Sequence, residues 1–320
     1  MTTSIKPFEM KTVFADKYTA GMPPCAATIG FFDGVHKGHR YLIKAVTDSA
    51  AAHGSLQSTI ITFDRHPSTV VGKKPYTRLL TTTAEKIERL SETGADNCVV
   101  MHFDTEMAAM SAYDFMKDML RDRLNVKILI IGYDNRFGHN RSEGFTDYVR
   151  YGRELGIDVV QAHTFTMNGM QVCSSVIRSL LDGGSVSMAN MCLGYDYSMT
   201  GLVVSGHHEG TRLGFPTANI EVADPLKLIP RRGVYAVNVR IDGAAERMHG
   251  MMNIGLRPTF GNGNTTIEIN IFNFEGDIYG HTLTVEVHAR LRDEHRFDSV
   301  DELAEQLHAD RDTAIEALKC

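Results

Sequence analysis

Two rhythms in one chain predict an α/β domain followed by a β domain. Strand-like and helix-like segments alternate up to residue 163, and short strands with no long helix between them fill residues 202–291. The third observation is a glycine-rich turn at residues 30–38, where an apolar run hands over to a helix. The expected architecture is a Rossmann-like, doubly wound parallel sheet, then an antiparallel barrel closed by a terminal helix.

The elements follow in order. The apolar run 27–29 ends at Gly30, turns through Asp33-Gly34, and enters a helix whose periodicity is clear over 40–52. Residues 57–63, rich in Ile and Thr, read as a strand. A helix over 84–93 stops at Gly94, and 97–103 is a second apolar strand. Ser111 opens an S-x-x-D cap for a helix over 112–124. Residues 126–132 (VKILIIG) are almost wholly apolar, as in a strand covered on both faces. A helix over 145–155 and a strand over 157–163 complete the alternation. Two short helices, 174–181 and 186–193, flank Asp182-Gly183-Gly184, and the domain boundary is set at 185/186. Strands are then expected at 202–205, 234–241, 248–254, 265–272 and 283–291, with a helix at 300–318 capped by Ser299 and Glu302.

Composition narrows the function. With 320 residues, 43% of them hydrophobic, the chain can bury two cores. A net charge of −6 argues against nucleic acid as a partner, while leaving room for a local anion site. The sequence has no apolar run of about 18 residues to span a membrane. The N-terminal MTTSIKPFEMKT has no apolar core of a secretory signal. Five cysteines without C-x-x-C spacing suit a reducing cytosol better than a disulfide framework.

His36 and His39 stand where the first strand gives way to the first helix. N–H groups there are unpaired, and the helix dipole favours anions. Imidazoles three residues apart share one face and suit a polyphosphate. Ordinary helix-start histidines and a zinc pair are the other readings. Gly30, Gly34 and Gly38 tip the balance toward phosphate, because they let backbone approach a ligand closely.

The run G-x-F-D-G-V-H-x-G-H, Gly30 to His39, resembles the signature of bacterial FAD synthetases within the HxGH nucleotidyltransferase superfamily. Thr62-Phe63-Asp64-Arg65-His66-Pro67 is similar to a second family segment, with Arg65 in place of proline. Gly132-Tyr133-Asp134-Asn135-Arg136-Phe137-Gly138 is similar to a third, with Asn135 in place of phenylalanine. Val172 to Arg178 resembles a fourth, with Cys173 and Ser175 replacing serine and threonine. The resemblance implies an ATP site of Gly30, Phe32, Asp33, Gly34, Gly38, Ser174, Ser175 and Arg178, with His36 and His39 catalytic. It also implies an adenine and flavin cleft lined by Phe63, His66 and Asp134. Serine hydroxyls at a helix start, and an arginine fork one turn on, are groups that can meet phosphate.

In the second half, glycines at 206, 210 and 214 lead into Pro216-Thr217-Ala218-Asn219. Thr217 and Asn219 would face the same way in an extended segment, offering hard oxygens to Mg²⁺. A plain glycine-rich hairpin reads equally well from the residues alone. The stretch resembles the riboflavin kinase signature ending in GFPTAN, with Thr211 where the family has arginine. Segments at 232–235, 253–260, 277–280 and 291–297 match the same family. The resemblance implies ATP binding by Gly206, Gly210, Gly214, Pro216, Thr217 and Asn219, with Thr217 and Asn219 as metal ligands. It assigns flavin contacts to Arg292 and Phe297. Along 266–271, Ile267, Ile269 and Ile271 take one face and Thr266, Glu268 and Asn270 the other. By alternation Glu268 is an exposed strand carboxylate; the resemblance implies a catalytic base. Glu286 and His288 share the alternation without a motif and read as surface residues.

The expectation is therefore a transferase that phosphorylates riboflavin to FMN and adenylylates FMN to FAD, using ATP and Mg²⁺. Two alternatives remain open: a chain retaining the kinase alone, and a non-catalytic flavin sensor. Partners are riboflavin, FMN and ATP, with neither nucleic acid nor membrane, and the chain is expected to be a monomer or weak homo-oligomer.

Overall fold

Six parallel strands form the first sheet: β1 (Lys11–Phe14), β2 (Cys25–Ile29), β3 (Gln57–Phe63), β4 (Asn97–Met101), β5 (Val126–Ile131) and β6 (Asp158–Gln161). Their order is β1-β4-β3-β2-β5-β6. The chain steps outward from β2 to β3 and β4, then returns to place β5 on the other side of β2. The strand order thus reverses at β2 and β5, the position where such sheets hold ligands beyond their carboxyl ends. The helices are α1 (Lys37–His53), α2 (Pro67–Val71), α3 (Thr83–Ser91), α4 (Thr105–Ala109), α5 (Ala112–Asp114) and α6 (Phe145–Leu155). A small hairpin, β7 (Thr166–Met167) and β8 (Met170–Gln171), follows β6.

The computed structural model describes residues 9–15, 21–72, 78–133, 135–205, 214–256 and 265–319. It divides into two units, residues 1–174 and 175–320. In the first, side chains alternate between two cores. Ile29, Ile61, Val99 and Leu129 pack on one face of the sheet with Phe115, Met116 and Tyr148. Ala26, Ile60, Cys98 and Ile128 pack on the other with Leu42, Ile43 and Val46 of α1. Burial on both faces explains the apolar runs of β2, β4 and β5.

Several elements depart from expectation. β1 is an edge strand too short to show periodicity. The helix expected at 112–124 turns π after α5, over Phe115–Arg123. Its wider turn carries the Leu124 N–H to the Met119 carbonyl, and Phe115, Met116, Met119 and Leu120 stay buried. The strand expected at 157–163 shortens to β6.

The second unit begins at the first turn of α7 (Ser174–Gly183), and α8 (Val186–Leu193) follows. Six strands then close an antiparallel barrel: β9 (Tyr197–Val204), β10 (Ala218–Glu221), β11 (Gly233–Ile241), β12 (Met248–Leu256), β13 (Thr265–Ile271) and β14 (Thr282–Arg292). Around the barrel the order is β10-β13-β12-β11-β14-β9. β10, four residues long, bridges β9 and β13 and so closes it. The last helix, α9 (Val300–Ala317), lies on the outer face of the barrel, where Ala314 packs with Ala236, Met251 and Phe215. No described helix is long and apolar enough to cross a membrane.

Two side chains depart from their expected settings. Glu286, expected at the surface, is 4% exposed. Arg240 and Arg247 pair with its carboxylate at 3.3 and 3.1 Å, which offsets the cost of burying it. His288 is half-buried, its Nδ1 2.9 Å from Asp196.

Arg292 links β14 to α9. Its Nε and Nη2 donate to the buried Asp310 carboxylate at 2.8 and 2.7 Å. Arg292→Met should strand that carboxylate and cost about 3 kcal/mol in denaturant unfolding of the barrel unit. Asp310→Leu added to it should recover most of the loss, because the uncompensated charge is then gone.

Candidate active sites

The first site is built at the end of β2. The loop from Gly30 to His36 passes through positive φ at Phe32 (56°), Gly34 (80°) and Val35 (36°). Such a path is strained for Phe and Val, so something must impose it. Asp33 does so. Its buried carboxylate accepts the Leu80 N–H at 2.9 Å and the Thr81 N–H at 3.0 Å. Gly34 N–H donates to the Thr81 hydroxyl at 3.0 Å. Asp33 therefore anchors the loop with oxygens that are already occupied.

His36 then caps α1. Its Nδ1 accepts the His39 N–H at 3.2 Å, so the ring proton belongs on Nε2. The two imidazoles stack at 3.6 Å between centroids and 17° between planes. Phe32 meets His39 edge-on at 5.1 Å, and Gly30 lies against the Phe32 ring, 3.1 Å from where a Cβ would sit. Gly38 is closely enclosed: a Cβ there would lie 3.0 Å from the Val172 carbonyl and 3.2 Å from the His36 ring, so both would have to give way. Burial, then His36 and Lys86, hold the His39 imidazole well below its ordinary pKa, so it is neutral. Its Nδ1 is buried without a hydrogen-bond partner among the described residues. Ser174 Oγ donates to the Asp33 carbonyl at 2.9 Å, tying the later serine motif to this loop. Ser175 is exposed and Arg178 half-buried on α7.

Of the expected flavin-cleft residues, Phe63 is buried in the core and meets Phe103 edge-on at 5.3 Å. His66 caps α2 through Ser68 and meets Phe31 edge-on at 4.7 Å. Asp134 lies outside the described residues. Beyond β5 and β6 opens a cavity of about 400 Å³, lined by Ile131, Tyr133, Asn135, Arg136, Gly144, Phe145 and Gln161. Asn135 donates to the Ile29 carbonyl at 2.5 Å, joining the rim of this cavity to the end of β2. Gln161 ends β6 and Phe145 starts α6; neither belongs to a motif, and only the fold brings them to the cavity.

The second site is set by barrel register. Glu268 on β13 stands directly opposite Asn219 on β10 and Asn253 on β12. Opposed residues share a face with Cβ atoms about 5 Å apart, so the three form one row. All three are half-buried, as is Thr217 just before β10. The segment leading into β10 is held at two points. Phe215 is buried under α9 and meets His308 edge-on at 4.9 Å, and Asn270 donates to the Pro216 carbonyl at 2.7 Å. Gly214 takes the left-handed φ of 80°. Gly206 and Gly210 lie outside the described residues. Arg292 is engaged with Asp310, and Phe297 is half-buried with its ring 5.7 Å from that guanidinium. Sequence reasoning matched Asn253 to a motif without assigning it to a site, and read Asn270 only as a strand residue. The register that makes them neighbours of Glu268 and Pro216 is not written in local pattern.

Comparison with known proteins gives a consistent result. Residues 19–176 match the family model described as FAD synthetase, and residues 193–318 the one described as riboflavin kinase. The chain is 34% identical over 293 residues to a bifunctional riboflavin kinase/FMN adenylyltransferase of Escherichia coli (strain K12), covering 91% of this chain and 92% of the relative. It is 33% identical over 294 residues to the protein of the same description from Bacillus subtilis (strain 168), covering 90% of each. A crystal structure described as a macrolide-efflux protein from Streptococcus pneumoniae superposes with a TM-score of 0.85 at 29% identity. It covers 95% of this chain and 99% of that one.

The neutral His39 makes stability depend on pH. Unfolded, the ring binds a proton near pH 6.5; folded, it does so only well below that. Its contribution is complete above pH 6.5 and is lost as pH falls toward the folded value. Denaturant unfolding at pH 7, 6 and 5 should show proton uptake on unfolding of up to one proton that His39→Asn removes.

Proposed function

The chain belongs to the bifunctional riboflavin kinase/FMN adenylyltransferase family, and we propose that it makes FMN from riboflavin and ATP and then FAD from FMN and ATP. The observation that carries the kinase reading is the row Asn219, Glu268 and Asn253 beside the anchored Pro216-Thr217 segment. Glu268 takes the proton of the ribityl 5′-hydroxyl as that oxygen attacks the γ-phosphorus. The bond from γ-phosphorus to the bridging oxygen breaks, and ADP leaves. Gly206, Gly210, Gly214 and Pro216 are assigned to ATP on their motif, and Arg292 and Phe297 to the flavin on theirs.

The donors fit Mg²⁺. The Thr217 hydroxyl and the Asn219 carboxamide oxygen are hard ligands on half-buried residues next to Glu268. Bound there, the ion would neutralise charge on the transferring phosphoryl group.

In the other half, an FMN phosphate oxygen attacks the α-phosphorus of ATP. The bond to the bridging oxygen breaks, and pyrophosphate leaves. The His36 Nε2 proton and the neutral His39 stabilise charge on the phosphates, while the first-turn N–H groups of α1 face the same anion. The buried His39 Nδ1, without a partner among the described residues, supports a ligand at this loop. Ser174, Ser175 and Arg178 are assigned to phosphate on their motif. Phe63, His66 and Asp134 are assigned to the flavin cleft on theirs. We set the boundary between the halves at 185/186; the interval between the two family matches, 177–192, supports a boundary there. The enzyme is read as cytosolic and as a monomer or weak homo-oligomer.

Chromatography of riboflavin incubated with Mg-ATP and the enzyme should show FMN, then FAD; neither product appearing would overturn the proposal. Glu268→Gln should lower FMN formation by about 10²–10⁴-fold and leave FAD formation from supplied FMN intact. His36→Ala with His39→Ala should do the converse, by about 10²–10³-fold.

A further inference from the structure

Neither reaction as derived uses Lys86, a cation of α3 that is 1% exposed. Its ammonium donates to the Phe63 carbonyl at 2.6 Å and rests 4.0 Å from the centroid of the Phe31 ring. Among the described residues it makes no ion pair. A buried ammonium outside any direct ion pair is costly, and an apolar side chain could fill the same space at less cost. The acids that act on it do so through space: Asp33 from the loop after β2 and Asp64 after β3, with the Cys98 thiol of β4. Asp33 already accepts from Leu80 and Thr81. On the histidine side, Lys86 acts on His39, which is itself stacked on His36. Lys86 is therefore a buried ammonium in no ion pair among the described residues, balanced only through space by Asp33 and Asp64, behind the loop that ends β2.

We infer that Lys86 is a positioning residue of the adenylyltransferase half, a fixed buried charge behind the histidine loop that a polyphosphate bound at that loop stabilises further. It acts through Phe31 and His39 and does not touch the ligand. The ligand class is the triphosphate of ATP or the released pyrophosphate. The inference rests on the adenylyl-transfer reading of His36 and His39. Burial lowers the ammonium's pKa to about 8, against the pull of Asp33, Cys98 and Asp64. A bound polyanion should reverse that shift.

The test uses the wild-type chain with lysine labelled at ¹³Cε and magnesium pyrophosphate as probe, since pyrophosphate is a product of this half alone. The Lys86 midpoint should rise by about one pH unit at saturation. One unit corresponds to tenfold tighter binding to the charged form, so Lys86→Met should weaken pyrophosphate binding about tenfold. In the same variant the His39 imidazole should titrate at higher pH, because a neighbouring positive charge is gone. Riboflavin phosphorylation should be unchanged. Pyrophosphate that saturates the wild type without moving Lys86 would overturn the inference alone. Pyrophosphate that does not bind the wild type would overturn the adenylyl-transfer reading, and the inference with it.

Discussion

The carboxylate of Asp33 decides the geometry of the first site. Phe32, Gly34 and Val35 carry positive φ in a span of four residues, a path that does not hold itself. Two backbone N–H groups of the Leu80–Thr81 segment hold Asp33, and Thr81 holds Gly34. With the loop fixed, His36 falls at the helix start with Nδ1 facing inward, and His39 stacks on it one turn later. Helix α1 then starts just beyond the carboxyl end of β2, where the sheet reverses order, with the His39 N–H of its first turn already taken by His36. The polar groups that shape this site are mostly committed to protein, leaving few free to meet phosphate.

The barrel uses the same economy by other means. Strand register brings Asn219, Glu268 and Asn253 into one row, and a single amide, Asn270, sets the approach of Pro216 and Thr217. Phe215 seats that approach in the core shared with α9, while Arg292 and Asp310 tie α9 to the barrel. A helix far along the chain thus holds the segment that precedes the threonine.

Departures from the family pattern take on physical meaning in the fold. Asn135 stands where the family has phenylalanine, and its amide bonds to the last carbonyl of β2, a link that an aromatic ring cannot make. Glu268 and Glu286 show the limit of alternation as a guide. Both occupy alternating positions on barrel strands. One stands in a row with two asparagines and the other is buried between two arginines. Arg240 lies 46 positions from Glu286, and no local pattern announces the pair.

The two rhythms, the helix-start histidines, the glycines around them and the GFPTAN segment were legible in sequence, because each depends on contacts within a few residues. Period 2 or 3.6, capping and turn chemistry are local consequences of backbone geometry. The edge strand β1, the short β10, the π turn after α5 and the burial of Glu286 and Lys86 were decided by tertiary structure. Each depends on groups brought together from distant positions: β4 for β1, the barrel closure for β10, the apolar core for the π turn, and the surroundings that bury two charges. The sequence by itself determined which chemistry the chain carries. Only the fold decided which of its charges are spent on holding the sites and which remain for a ligand, because burial and pairing are properties of neighbours in space.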